Sequence, residues 1–255
     1  MNALDNTGAK LAQTARRHFL ARQRRPFLIG DWTRALFLHF ELPAEILRPH
    51  VPFELDLCNG RAFVSAVAFS MENLRPGFGG VLGRILFRPV ARHNFFNLRA
   101  YVVHEGRPAI YFICEWLNNR LCVLGGPVTY GLPYRFARLQ YNHRPETRRL
   151  SGRVGDQFAY EAELPPGAGF QPCPEGSLDE FLLERYTACT RRGGSSRCFD
   201  ITHEPWPQTP VTARIKDDRL LLSEFSWFAE SRLIGANYSP GVREVWIGPP
   251  SRLRG

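Results

Sequence analysis

Residues 95–103 carry side chains that could bind a small acid. Alternate residues of a strand point to opposite faces, and here one face is polar and aromatic while the other is apolar. The first face holds Phe95, Asn97, Arg99 and Tyr101. If the apolar face packs outward, Arg99 points into a pocket and can hold a ligand carboxylate through two hydrogen bonds. The alternatives are an internal ion pair with Glu115 or Glu184, or exposure of Arg99 at a rim, because a buried unpaired charge is costly.

Three further side chains are candidate acids or bases. Glu184 ends a predicted helix, and burial there would raise its pKa toward a value useful for proton transfer. Glu115 offers a second carboxylate, and His203 lies beside a proline-rich turn with Trp206. The structural alternatives are an ion pair of Glu184 with Arg185 and packing of His203 on Trp206. No catalytic residue is assigned on this basis.

Other familiar site patterns are missing from the sequence. The seven histidines show no H-x-x-x-H or H-x-x-E-H spacing, no serine lies in a G-x-S-x-G elbow, and no glycine-rich loop matches a phosphate-binding pattern. We therefore expect neither a metal nor a cofactor. The six cysteines form no C-x-x-C pair and several lie in apolar runs, which predicts free thiols in a reducing compartment and a cytoplasmic location.

Four stretches together resemble a known family. They are residues 97–102 (NLRAYV), 125–137 (GGPVTYGLPYRFA), 181–186 (FLLERY) and 203–207 (HEPWP). In this order and spacing they are similar to the YqjF-like family, a domain of unknown function related to the acetoacetate decarboxylase-like superfamily. The resemblance covers roughly residues 30 to 248. It implies a cone-like antiparallel β-barrel with flanking helices and a buried pocket.

The resemblance also implies where a reactive lysine would stand. In acetoacetate decarboxylase a lysine after a Gly-Phe-Pro stretch forms a Schiff base, and a neighbouring lysine lowers its pKa. Here Tyr134 occupies the first lysine position and Arg135 the second, after Gly131-Leu132-Pro133. A phenol forms no imine and arginine stays protonated. The only lysines are Lys10 and Lys216, outside the match and at a predicted turn, so decarboxylation through an imine is not expected.

Two other positions depart from the family pattern. Relatives often carry a glutamate at the place of Phe95 and an aspartate at the place of Trp116, which here follows Glu115. Both departures predict a pocket that is less acidic and more aromatic. Tyr134 and Arg135 are neighbours, so on an extended chain they face opposite ways. Tyr134 is the one we expect in the pocket, as a hydrogen-bond donor.

Periodicity predicts the elements that position these side chains. Alternating runs predict strands, and the turn at residues 105–108 predicts an antiparallel hairpin. A Ser177 cap with Glu180 three residues later predicts a helix at Leu178–Tyr186. Gly125-Gly126-Pro127 is interpreted as a turn. The predicted strands are 32–41, 61–69, 95–103 and 109–117, with a further hairpin from 211–215 and 220–223 whose tip is 216–218.

The chain is predicted to be mainly β with a few helices, arranged as a single acetoacetate decarboxylase-like barrel domain over residues 30–250. Residues 1–29 are expected to form a basic N-terminal helix or tail. With 255 residues, 44% hydrophobic residues and no run long enough to span a membrane, the chain is typical of a globular protein. The net charge of +9 is spread along the chain without a nucleic-acid signature, so nucleic-acid binding is not expected.

These observations favour a protein that binds a small organic acid or carbonyl compound in the barrel pocket. The predicted ligand-binding residues are Arg99, Tyr134, Asn97, Tyr101, Arg135 and Phe95. One alternative is an enzyme of altered chemistry, a lyase or hydrolase that uses Glu184 or Glu115, with His203 as a further acid or base. Another is a basic interaction protein whose tail binds an acidic partner. The sequence leaves the ligand and a homo-oligomeric state open.

Overall fold

The computed structural model describes residues 7–23 and 25–253. The helices are α1 (Thr7–Arg22), α2 (Ala44–Leu47), α3 (Gly80–Phe87), α4 (Arg120–Thr129), α5 (Leu178–Leu183) and α6 (Arg219–Glu224). The strands are β1 (Leu28–Leu42), β2 (Glu54–Leu55), β3 (Ala62–Pro76), β4 (His93–His104), β5 (Arg107–Leu117), β6 (Tyr134–Phe136), β7 (Leu139–Arg144), β8 (Arg149–Val154), β9 (Phe158–Glu163), β10 (Thr187–Arg192), β11 (Ser195–Thr202), β12 (Thr209–Pro210), β13 (Thr212–Asp217), β14 (Arg232–Ile247) and β15 (Ser251–Arg252). The chain is therefore mostly β, as predicted.

The main sheet is mixed rather than wholly antiparallel, which corrects the prediction. Its strand order is β12-β14-β1-β3-β4-β5-β10-β11-β15, and β5 pairs in parallel with both β10 and β6. Parallel partners need a crossover connection. Here the chain leaves β5, forms α4 before β6, and builds strands β7, β8 and β9 of the second sheet and then α5 before β10. β11 also pairs with β14, so the strands from β14 through β1 to β11 form a closed circuit of pairings.

A smaller antiparallel sheet covers one face of the main sheet. Its order is β13-β9-β8-β7. The apolar face of β4 packs against it, with the rings of Phe96 and Phe158 4.6 Å apart. Leu98 and Ala100, on the same face as Phe96, are fully buried in the same cluster. This face therefore packs on a sheet, and the opposite face of β4 is left to line the interior of the closed circuit.

Helix α1 packs on the closed circuit of strands. Phe19 is fully buried with its ring 6.0 Å from that of Trp246, and the Arg16 guanidinium lies 4.4 Å from the Trp246 ring centre. The division between an N-terminal segment at 1–29 and a domain at 30–250 stays a prediction, and residues 1–6 lie outside the described ranges. No helix within these ranges is long and apolar enough to cross a membrane.

The β4–β5 hairpin and the Ser177 cap are present as predicted. Val102 pairs with Ala109 across the hairpin, and the Ser177 hydroxyl accepts a hydrogen bond from the backbone N–H of Glu180 at 3.1 Å. The Glu180 carboxylate accepts from the backbone N–H of Gly176. Helix α5 ends at Leu183, earlier than predicted, because Glu184 leaves helical geometry with φ −89° and ψ 80°.

Two predicted turns are wrong. The residues from Gly125 to Pro127 lie inside helix α4, which begins at an Asn119 cap whose Oδ1 accepts from two backbone N–H groups. A cap and a helical run thus outweigh the local turn signal of the glycines and proline. The predicted hairpin tip at 216–218 instead leads from β13 into α6, where Leu221 is buried. Burial of that leucine against the core favours helix over a second strand.

The prediction of free thiols is wrong for two of the six cysteines. Cys189 and Cys198 form a disulfide. They stand directly opposite each other on β10 and β11, where neighbouring strands bring Cα atoms close enough for a bond. They also lie at equal distances from the Gly193-Gly194 turn, a symmetry that is visible in the sequence. Cys58, Cys114, Cys122 and Cys173 are free.

Candidate functional site

A cavity of about 490 Å³ lies inside the closed circuit of strands, beneath helices α3 and α4. Its wall is mainly apolar and strongly aromatic. The aromatic part consists of Phe27, Trp32, Phe37, Phe69, Phe87, Phe95, Phe112, Phe199 and Trp206. The polar part consists of His93, Asn97, Arg99, Glu115, Cys122, Thr129, Tyr130, Tyr134, Arg185 and His203. A wall of this kind suits a small ligand with an apolar body and one polar group.

One row of residues crosses the floor of the cavity from strand to strand. Each residue pairs with the next across the sheet, so all share one face. The row runs Phe37, Val67, Asn97, Glu115, Tyr134. Strand register therefore brings three of the predicted site residues side by side, although they come from three separate stretches of sequence.

Arg99 is a buried cation in the cavity wall. It is 7% exposed, and one guanidinium nitrogen donates to the Leu182 carbonyl at 2.9 Å. Its Nε has no hydrogen-bond partner, and no described carboxylate forms an ion pair with it. The guanidinium lies 5.3 Å from the Phe37 ring centre. Arg185 in the same wall differs, because it pairs with Asp56 at 2.5 Å.

Glu115 is a buried carboxyl beside Asn97. It is 3% exposed, and burial raises its pKa well above the ordinary value. The shift favours the protonated acid, which can donate as well as accept a hydrogen bond. Neither Glu115 Oε2 nor Asn97 Oδ1 has a partner among the described residues. Both residues line the cavity, and both atoms are shielded from solvent.

Tyr134 lines the cavity and Arg135 points away from it. The Tyr134 ring packs 5.7 Å from that of Phe95 and against Gly126 of α4. Burial raises the pKa of Tyr134 well above its usual range, so its hydroxyl stays protonated and can donate. Arg135 is bound instead to Glu224 at 2.5 Å on the surface. The opposite directions follow from the extended backbone of β6.

His203 lies in an aromatic box at the cavity wall. Its ring is within 6 Å of those of Trp32, Tyr186 and Trp206. The Nδ1–H donates to the Glu204 carbonyl at 2.6 Å, which leaves Nε2 as the basic nitrogen. Burial, with the positive charge of Arg99 as a smaller cause, lowers the pKa of His203 to about 4. The imidazole is therefore neutral near pH 7.

Two predicted site residues, Glu184 and Tyr101, lie outside the cavity lining. Glu184 is held by its neighbours, because its carboxylate accepts from the Tyr186 hydroxyl at 2.5 Å and the Trp206 backbone N–H at 2.9 Å. Burial raises the pKa of Glu184 to about 7. Tyr101 lies further along β4, where its hydroxyl donates to the Leu182 carbonyl. Both side chains support α5 and the segment that follows it.

Sequence reasoning missed several wall residues. His93 precedes Phe95 by two residues, so the alternation that selected Phe95 and Asn97 would have included it if extended backward. Trp32 and Trp206 stack with their ring centres 6.0 Å apart. No local signal shows this pair, because the two residues lie far apart in the sequence.

A single group of three metal-binding residue types occurs within the described ranges. It consists of His104, Cys189 and Cys198, whose side-chain donor atoms lie within 4.8 Å of one another. Both sulfur atoms belong to the disulfide, which leaves the imidazole as the one ordinary metal ligand of the group. The group lies outside the cavity lining.

Comparison with known proteins finds one matching family and a relative with a similar sequence. Residues 30–243 match the DUF2071 family, described as "Uncharacterized conserved protein". The uncharacterized protein YqjF of Bacillus subtilis (strain 168) is 34% identical over 180 residues, 69% of this chain and 72% of YqjF.

Solved structures show a shared fold at low sequence identity. An acetoacetate decarboxylase-like enzyme from Sphingomonas wittichii RW1 has a TM-score of 0.59 at 15% identity, covering 89% of this chain and 93% of the enzyme. The enduracididine biosynthesis enzyme MppR complexed with pyruvate has a TM-score of 0.60 at 14% identity, covering 90% and 91%. The fold of this chain is thus acetoacetate decarboxylase-like.

Proposed function

Since the chain belongs to the DUF2071 family of uncharacterized conserved proteins and has an acetoacetate decarboxylase-like fold, we propose that it binds a small organic acid or carbonyl compound in the cavity. The apolar body of the ligand packs on the aromatic wall. Its oxygen atoms meet Arg99, Asn97, Glu115 and Tyr134. The closed circuit of strands supports the cone-like barrel predicted around this cavity.

The observation that supports this proposal most strongly is the state of Arg99. A buried guanidinium without an ionic partner is costly, and a ligand carboxylate offsets that cost with charge-assisted hydrogen bonds. Leu182 supplies only a neutral acceptor. Burial raises the pKa of the nearby Glu115 and so favours its protonated form, which donates a hydrogen bond and does not repel a ligand carboxylate. The solved structure of MppR, which has a similar fold, is a complex with pyruvate, a keto acid of the proposed class.

Imine chemistry is not part of the proposal. No lysine lines the cavity within the described residues. Lys216 pairs with Glu161 at 3.5 Å on the smaller sheet, and Lys10 lies exposed on α1. Tyr134 occupies the position where the decarboxylase-like resemblance places the reactive amine. It supplies a hydroxyl for hydrogen bonding instead.

A thermal-shift panel tests ligand binding. The panel contains pyruvate, hexanoate and 2-hexanone, each with wild-type protein and with Arg99→Ala. A ligand at 100 times its Kd stabilises the fold by about 2.7 kcal/mol. The proposal expects hexanoate or pyruvate to raise the Tm of the wild type but not of the variant. Equal shifts for both proteins would remove Arg99 from the binding site, and no shift with any probe would count against the proposal as a whole.

A second candidate function is an enzyme of altered chemistry. The specific observation is the buried Glu115, whose raised pKa suits a general acid and which shares a row with Asn97 and Tyr134. Incubation of each panel compound with the wild type and Glu115→Gln, followed by NMR, tests this idea. Turnover in the wild type that Glu115→Gln lacks would support it. Unchanged compounds throughout would leave binding as the function.

A further inference from the structure

Helices α3 and α4 expose an unusual amount of apolar surface. Within the described ranges, every large hydrophobic side chain with more than half of its surface exposed belongs to these two helices. We call this set the mouth surface: Val81, Leu82, Ile85, Leu86, Leu121, Leu124 and Val128. Their exposure runs from 53% to 75%. Exposed apolar surface gathered in one place marks an interaction site rather than ordinary surface.

The mouth surface surrounds the opening of the cavity. Leu86 of α3 and Leu121 of α4 are both exposed to solvent and part of the cavity lining. The cavity therefore opens between the two helices. On α3, the exposed residues at 81, 82, 85 and 86 fall on one side of the helix, and on α4 the spacing 121, 124, 128 forms one stripe. Whatever covers the mouth surface also covers the entrance to the cavity.

The two stretches of sequence that carry the mouth surface contain basic residues and no acidic ones. No acidic residue occurs from 73 to 104 or from 116 to 145, the two stretches that contain α3 and α4. Arg84, Arg88 and Arg120 form no ion pair with any described residue. Symmetric pairing of the mouth surface with a second copy would bring these like charges together. Apolar side chains bordered by unpaired arginines instead match an anionic lipid surface, where leucines enter the acyl layer and arginines meet head groups.

We propose that the mouth surface docks on an anionic membrane, so that the cavity opens toward the lipid. This goes beyond small-molecule binding and does not depend on which ligand the cavity takes. The docking is peripheral, with the two short helices α3 and α4 lying at the interface. Because the arginines contribute through charge, binding weakens as salt concentration rises.

Co-sedimentation with lipid vesicles tests this proposal. The probes are vesicles of phosphatidylcholine alone and of phosphatidylcholine with about one third phosphatidylglycerol. We expect the wild type to bind the anionic vesicles and to bind the neutral vesicles at least about tenfold more weakly. Leu82→Ser combined with Leu124→Ser removes apolar side chains that do not line the cavity, and should lower anionic-vesicle binding about tenfold or more. Arg84→Gln with Arg88→Gln should lower it as well.

A matched control and a mass measurement separate docking from other causes. Leu222→Ser changes a leucine of α6 that is also exposed, at 38%, and should leave vesicle binding unchanged. Circular dichroism checks that each variant is folded, and light scattering gives its mass. Lack of vesicle binding by the wild type would overturn the proposal. So would a wild-type oligomer that the Leu82→Ser, Leu124→Ser variant converts to monomer, because the mouth surface would then bind a second copy.

Discussion

Gly126 of α4 lies so close to the Tyr134 ring that an added Cβ would sit 2.2 Å from Cε2 of Tyr134. This contact fixes the position of the Tyr134 ring in the cavity wall. We predict that Gly126→Ala forces the ring to move and lowers the free energy of unfolding by about 1–3 kcal/mol, the usual cost of overpacking. Urea denaturation measures the change.

Gly125 provides the matched comparison. It precedes Gly126 in the same helix, but a Cβ there meets nothing within 4 Å. Gly125→Ala should therefore raise the stability by up to about 1 kcal/mol, since alanine favours helix over glycine. Equal effects of the two substitutions would show that helix propensity, and not packing on Tyr134, decides the outcome.

Glu115 should make the protein less stable as pH rises. The unfolded carboxyl ionises near its ordinary value of 4.5, while the buried carboxyl keeps its proton to a higher pH. Below about pH 4 both states are protonated and the group has no effect. Above that value the unfolded state gains about 1.4 kcal/mol per pH unit until the folded pKa is reached. Glu115→Gln, which cannot ionise, should therefore gain stability over the wild type between pH 5 and 7.

Urea denaturation of both proteins at pH 4, 5, 6 and 7 checks this prediction. Glu161→Gln is the control, since Glu161 is an exposed partner of Lys216 on the smaller sheet. A constant difference between wild type and Glu115→Gln over this pH range would mean that Glu115 is ionised in the folded protein.

His203 should destabilise the fold as pH falls. Its pKa is lowered to about 4 in the folded state by burial, against about 6.5 in the unfolded chain. The unfolded state alone takes up a proton between these values, so stability is fully present above about pH 6.5 and is lost toward pH 4. Over this pH range the free energy of unfolding falls by roughly 3 kcal/mol because of this one group. In His203→Gln the acid-induced loss should be smaller by about that amount, measured by denaturation at pH 4.5 and 7.5. A loss as steep as in the wild type would contradict the assignment.

The disulfide should be detectable without a structure. Alkylation of the denatured protein without reductant should modify four cysteines, and alkylation after reduction should modify six, as counted by mass spectrometry. Cys198→Ser should lower the free energy of unfolding by about 2–3 kcal/mol, the loop-closure value for a sequence separation of 9. Cys58→Ser, which removes a free thiol, is the control. Six alkylated cysteines without reductant would show that all six thiols are free, as the sequence predicted. The cytoplasmic location remains a prediction in either case.

Local periodicity was enough to predict the β4–β5 hairpin and the shared face of Phe95, Asn97 and Arg99. Alternation depends only on neighbouring residues, so one sequence can show it. The pairing of β5 with β6 and β10 could not be predicted in this way. Parallel pairings depend on crossovers and on packing between distant segments. The pairing of β5 with β6 is what sets Glu115 beside Tyr134.

The helices near the cavity show a second limit of prediction from local sequence. In α4 the signals for a turn were strong and local, while the packing of Gly126 on Tyr134 is a tertiary contact. Tertiary packing can override the intrinsic turn preference of glycine and proline residues. Glu184 was a candidate acid or base at the end of the predicted helix, but α5 stops at Leu183 and the following residues turn the carboxylate toward Tyr186. The point at which the helix ends decides which way this side chain points.

Calorimetric titration of hexanoate into the wild type, Arg99→Gln and Arg135→Gln tests directly whether Arg99 holds a ligand carboxylate. Arg135 is the surface control, because it pairs with Glu224 outside the cavity. We predict binding to the wild type and to Arg135→Gln with similar Kd values. Arg99→Gln should bind at least about thirtyfold more weakly, which corresponds to roughly 2 kcal/mol for loss of one partner of a buried charge pair. Equal affinity of the wild type and Arg99→Gln, or no binding to the wild type, would contradict the account.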